Sequence, residues 1–233
     1  MANPTVDNDL RDRLAIALDV DDLVAALRIA RDVRPWFGVA KVGLELFIAS
    51  GPEAIGVLQQ LGYKVFLDLK LDDIPTTVER AARIAGSLGV SYLTLHARGG
   101  VNNLRAGVNG LADGAHKAGL PSPVALGVTV LTSDDSAPPH ILPQRVEFAV
   151  EAGCGGIVCA AADVTRAKEL APKLIAVVPG IRPDGADAGD QRRSATPQEA
   201  LDAGADLLVV GRPVTRAHDR VAAAAALVES MTA

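Results

Sequence analysis

From Arg13 onward, short apolar runs alternate with segments of helical period, and eight such runs can be counted along the chain. A run of four to eight apolar residues without polar alternation suits a strand buried on both faces, and such strands belong to parallel sheets covered by helices. Strands are expected over 14–20, 38–43, 63–70, 91–96, 123–130, 156–160, 174–178 and 207–210. Helices are expected over 21–34, 52–61, 76–88, 102–118, 144–152 and 216–231, with Asp21 as the first cap and Pro52 in a tolerated first-turn position. Two polar connections stand out by length, 131–143 and 179–196. Eight βα units, in a chain of 233 residues, point to a single (β/α)8 TIM barrel domain over 1–233. A doubly wound open sheet is the alternative, but the first strand is not followed by a Gly-x-Gly-x-x-Gly turn.

Composition narrows the classes of partner. Hydrophobic residues make up 49% and aromatics only 3%, so the core is expected to be built from Ala, Val, Leu and Ile. Few aromatics and a net charge of -5 argue against nucleic-acid binding, while leaving room for a local basic pocket. The N-terminal residues are polar, and no run of about 18 apolar residues occurs, so no membrane segment is expected and the reading is a soluble cytoplasmic protein. Cys154 and Cys159 read as buried thiols, and the four histidines show no metal-ligand spacing.

The polar residues at strand ends carry the functional argument. Asp19 ends the first expected strand, Lys41 lies within the second, Asp68 and Lys70 end the third, and His96 ends the fourth. Thr132 follows the fifth, Arg182 the seventh, and Arg212 the eighth. In a barrel these ends gather on the C-terminal face, where active sites lie. Asp68 and Lys70 are two apart, so on an extended strand both point to one face. An unpaired charge inside an apolar strand, such as Lys41, costs several kcal/mol or loses its proton, so these charges need one another or a ligand. Pro179-Gly180-Ile181-Arg182 and Val210-Gly211-Arg212-Pro213 follow the strands after which barrels commonly bind phosphate, with Gln191 on the loop between.

Asp68-x-Lys70-x-x-Asp73-Ile74-Pro75-x-Thr77 resembles the signature of the orotidine 5′-phosphate decarboxylase family. The resemblance extends through Leu18-Asp19, Lys41-Val42-Gly43, Thr94-Leu95-His96, Val130-Leu131-Thr132-Ser133, Pro179 to Arg182, Asp190-Gln191 and Val210 to Pro213. It implies decarboxylation of orotidine 5′-phosphate to UMP, the last step of pyrimidine synthesis, without metal or cofactor, in a homodimeric barrel. Lys41, Asp68 and Lys70 would form an alternating charge array completed by Asp73 from the neighbouring subunit, with Lys70 protonating C6. Ile74 and Thr77 would also cross into that site. Asp19 and Lys41 would hold the ribose, Thr132 the pyrimidine, Gln191 the closed loop and phosphate, and Gly211 with Arg212 the phosphate; Arg182 would contact the ligand nearby. His96 is given no catalytic role, Asp72 is expected to be solvated, and Ser133 is a rival for the contact of Thr132. A sugar-phosphate decarboxylase or aldolase of the same superfamily would share Asp-x-Lys-x-x-Asp but use Mg2+, with an acidic ligand expected where Lys41 stands. A non-catalytic phosphate-binding barrel would explain Arg212 but not the array.

Overall fold

The computed structural model describes residues 7–183 and 193–231. Its strands are β1 (Leu14–Ala17), β2 (Val39–Gly43), β3 (Lys64–Leu71), β4 (Tyr92–His96), β5 (Val124–Val128), β6 (Gly156–Val158), β7 (Ile175–Val178) and β8 (Leu207–Val210). They form a closed parallel barrel in sequence order, β8 returning to pair with β1. The expected fold class is therefore the observed one.

The helices, in chain order, are α1 (Asn8–Asp12), α2 (Leu23–Val33), α3 (Leu44–Ser50), α4 (Glu53–Gln60), α5 (Pro75–Ser87), α6 (Gly100–Lys117), α7 (Ile141–Ala152), α8 (Ala161–Leu170), α9 (Pro197–Asp202), α10 (Arg212–Thr215) and α11 (Arg220–Glu229). The cap of α2 is Asp22 rather than Asp21, its carboxylate accepting from the amides of Val24 and Ala25. Asp21 lies one residue too early to reach those donors. α8 and α9 were not anticipated from periodicity, although α9 carries a full capping box between Thr196 and Glu199. The helix expected over 216–231 starts later, as α11 at Arg220, because Asp219 caps it there by accepting from the amide of Ala222. Among the described residues no helix is long and apolar enough to cross a membrane.

Side chains alternate across each strand, so the barrel buries two separate apolar sets. Ala40, Val42, Val65, Leu67, Leu93 and Leu95 face outward and pack under the helices. Ala15, Ala17, Val39, Phe66, Leu126, Val128, Val158, Val177, Leu207 and Val209 fill the interior. Phe66 meets Tyr92 edge to face there, with ring centroids 5.9 Å apart. Lys41, Asp68 and Thr94 share the parity of Val39, Phe66 and Tyr92, two residues further along their strands. The same alternation that fills the barrel thus carries three polar side chains inward, one layer above its apolar filling.

Candidate active site

A cavity of about 510 Å³ opens at the C-terminal ends of the strands. Its floor is the upper interior layer, Ala17, Phe66, Val128, Val158 and Val209. Asp19, Lys41, Asp68 and Lys70 stand on that floor as a continuous line of alternating charge. Lys41 Nζ donates to Asp19 Oδ1 at 2.8 Å and lies 3.6 Å from Asp68 Oδ2. Lys70 Nζ donates to both Asp68 oxygens, at 2.8 and 2.9 Å. Burial alone would raise the Asp68 carboxyl; the charges of Lys41 and Lys70, with hydrogen bonds from Lys70 and Thr94, outweigh it and hold the group below the usual carboxylate range. Asp68 is thus ionised beside two ammonium groups, in a place where an isolated carboxylate would not keep its charge.

The backbone beneath this array is irregular. β3 pairs with β4 at Phe66 and Leu67, and the ladder resumes only at Leu71 opposite Leu95. Lys70, at φ 50°, is the one non-glycine residue with positive φ among those described. A left-handed conformation for a residue with a Cβ costs roughly 1–2 kcal/mol. Asp68 and Lys70 therefore meet across a bulge, not on the regular alternating strand inferred from their spacing. Thr94 takes up both ends of that irregularity: its Oγ1 accepts from the Lys70 amide at 2.8 Å and donates to Asp68 Oδ1 at 3.0 Å. Gly43, closing β2, leaves space for the pair above it; a Cβ there would lie 2.7 Å from Asp19 Oδ1 and 3.1 Å from Lys41 Nζ.

Across the cavity the lining is basic. Arg182, Arg212 and Arg216 converge with Gly180, Gly211 and Thr215 at the ends of β7 and β8. Arg182 is buried, its Nη1 donating to the Ile181 carbonyl, while its amide donates to the Ala195 carbonyl. Ile181 and Ala195 also form an isolated bridge, so the two arms of the 179–196 connection meet at its base. Gln191 lies outside the described residues. Thr132 and Ser133 both line the cavity, from the connection after β5.

Asp73, Ile74 and Thr77 are not brought into this cavity. All three are exposed at the start of α5, Ile74 at 65%, and Asp73 Oδ1 accepts from the Ile74 amide at 2.6 Å. Asp72 is not simply solvated: it pairs with Arg98 Nε at 2.5 Å, because the turn after β4 brings that guanidinium alongside. Arg216, Thr94 and Gly43 were not assigned roles from sequence. Thr94 and Gly43 both lie within the quoted motifs, whereas nothing local distinguishes Arg216 from any other helix-end arginine. Cys154 and Cys159 are buried free thiols, each pushed up to about 12 by burial.

Comparison with known proteins bears directly on this geometry. The model of the orotidine 5′-phosphate decarboxylase / HUMPS family matches residues 12–227. A protein of Anaeromyxobacter sp. (strain K) named orotidine 5′-phosphate decarboxylase is 47% identical over 227 residues, covering 93% of this chain and 96% of that one. One of the same name from Moorella thermoacetica is 42% identical over 229 residues, covering 93% and 91%. Among solved structures, orotidine 5′-phosphate decarboxylase from Lactobacillus acidophilus superposes with a TM-score of 0.80 at 34% identity, over 95% of this chain and 100% of the other.

Proposed function

The chain belongs to the orotidine 5′-phosphate decarboxylase / HUMPS family, and from that premise we propose how its residues divide the work. The reaction is the decarboxylation of orotidine 5′-phosphate to UMP and CO2 in pyrimidine biosynthesis. The bond from C6 to the carboxylate breaks, CO2 leaves, and the electron pair stays on C6 in the ring plane, where no π system delocalises it. Lys70 is the group that meets this charge: its ammonium stabilises the anion electrostatically and then transfers a proton to C6. Two opposite unit charges 4 Å apart attract by about 4 kcal/mol at an effective dielectric near 20, so a preplaced ammonium stabilises the transition state substantially. Asp68 orients Lys70 and lies beside the substrate carboxylate, a repulsion relieved as CO2 departs.

The other assignments are those that the family resemblance implies. Asp19 and Lys41 hold the ribose hydroxyls, Thr132 the pyrimidine, and Arg212 with the Gly211 amide the phosphate, with Arg182 beside them and Gln191 closing over it. Phosphate binding remote from C6 supplies energy for closing the site and excluding water. Asp73, Ile74 and Thr77 of the partner subunit complete the site in a homodimer. No metal or cofactor is assigned a step; Lys41 occupies the position where the Mg2+-dependent relatives would need an acidic ligand.

The observation that carries this reading is the Lys41–Asp68–Lys70 array, with contacts from 2.8 to 3.6 Å on the cavity floor. Purified protein is expected to convert orotidine 5′-phosphate to UMP at an undiminished rate in EDTA. Loss of turnover on chelation would move the assignment to the metal-dependent branch. Lys70→Ala is expected to abolish turnover, by at least about 10³-fold, while UMP still binds; substantial residual activity would remove Lys70 from the proton-donor role.

A further inference from the structure

Thr94 is wholly buried at the middle of β4, between the apolar Leu93 and Leu95 in the strand. Valine would suit the position by shape and β-propensity. The hydroxyl has a definite task instead. Between Leu67 and Leu71 the ladder to β4 advances four residues on one strand against two on the other, and Thr94 lies opposite that interruption. Its Oγ1 accepts from the Lys70 amide, which the broken ladder leaves without its regular strand partner, and donates to Asp68 Oδ1. One oxygen atom thus joins the backbone that carries the ammonium to the carboxylate that receives it.

We propose that Thr94 is a positioning residue for decarboxylation: it holds β3 in the bulged, left-handed conformation at Lys70 and fixes the Asp68 carboxylate, so that both groups keep their aim at the reacting carbon. The inference rests on the assignment of Lys70 as proton donor. It follows from the geometry that ground-state binding, which draws on the ribose and phosphate groups, depends little on Thr94. The chemical step depends on it strongly, since small displacements of a catalytic group lower rates out of proportion to the movement.

The test compares Thr94→Val, which keeps the shape without the hydroxyl, with Thr94→Ser, which keeps the hydroxyl. Thr94→Val is expected to lower kcat by roughly 10- to 100-fold, with KM and the affinity for UMP within about threefold of the unsubstituted enzyme. Thr94→Ser is expected to recover kcat to within about threefold. If Thr94→Val does not accumulate as a folded barrel, Thr94→Ala removes the same hydroxyl without adding atoms and is expected to show the same split. A kcat within about twofold in the hydroxyl-free variant, an equal loss in Thr94→Ser, or a loss carried by KM and UMP affinity would each overturn the inference. Failure of the unsubstituted chain to release CO2 from orotidine 5′-phosphate would instead overturn the decarboxylase reading, and the inference with it.

Discussion

His96 sits at the end of β4, with 7% of its surface exposed and its Nδ1 accepting from the Arg98 amide. Burial pushes its pKa down to about 4, assisted by Arg98 and Arg145; Asp72 opposes them and Lys70 adds to them. The imidazole is therefore neutral at pH 7 in the folded protein, while an exposed histidine in the unfolded chain titrates near 6.5. Between those values the unfolded chain binds more protons, so this contribution to stability is intact above about pH 6.5 and declines as pH falls toward 4. A difference of this size is worth up to roughly 3 kcal/mol at about 1.4 kcal/mol per pH unit. His96→Gln, which keeps a neutral polar side chain, is expected to flatten the loss of stability between pH 6.5 and 4, measured by urea unfolding at several pH values. An unchanged slope would mean that another group governs that range.

Among the elements, α5 and α6 pack most closely, through glycine. A Cβ on Gly110 would lie 2.1 Å from the Glu79 carbonyl oxygen, and one on Gly114 would lie 1.9 Å from that of Arg83. Both contacts are with backbone, so they cannot be relieved by a side-chain rotation. α5 begins at Pro75, directly after Asp73 and Ile74, so its seating also sets where the end of the motif emerges. Gly110→Ala is expected to destabilise the protein by about 2 kcal/mol, overpacking outweighing the helix propensity of alanine. For a chain of this size that lowers Tm by roughly 4–8 °C. An unchanged or raised Tm would show that the helices separate without penalty.

On the scale of the whole molecule, the proposed shared site requires two barrels. Asp73, Ile74 and Thr77 are exposed outside the cavity, which is the arrangement a shared site requires. If the site is shared, mixing inactive Lys70→Ala and Asp73→Asn proteins produces heterodimers with one intact site, and up to about half of the sites per heterodimer regain activity. Subunit exchange verified by mass, with no recovered turnover, would return Asp73 to a role within its own chain or to none.

Much of this protein was legible in its order of residues. The eight apolar runs determined the barrel, because a strand buried on both faces has few other architectures available. The charges at their ends, Asp19, Lys41, Asp68, Lys70 and Arg212, determined where chemistry would gather. α8 and α9 escaped because their weak or short apolar patterns say little until a neighbouring strand gives them a face to cover. The place of Arg216 in the cavity lining escaped because it comes from the turn after α10, not from a strand pattern. What only tertiary structure decided was how Asp68 and Lys70 meet. Period-two alternation anticipated their shared face, but the contact is made across a bulge with Lys70 at φ 50°, and the hydroxyl of Thr94, on another strand, hydrogen-bonds at both sides of it. Sequence spacing encodes the period of a regular strand; a departure from that period is held by contacts from 24 and 26 residues away, which exist only once the barrel has closed.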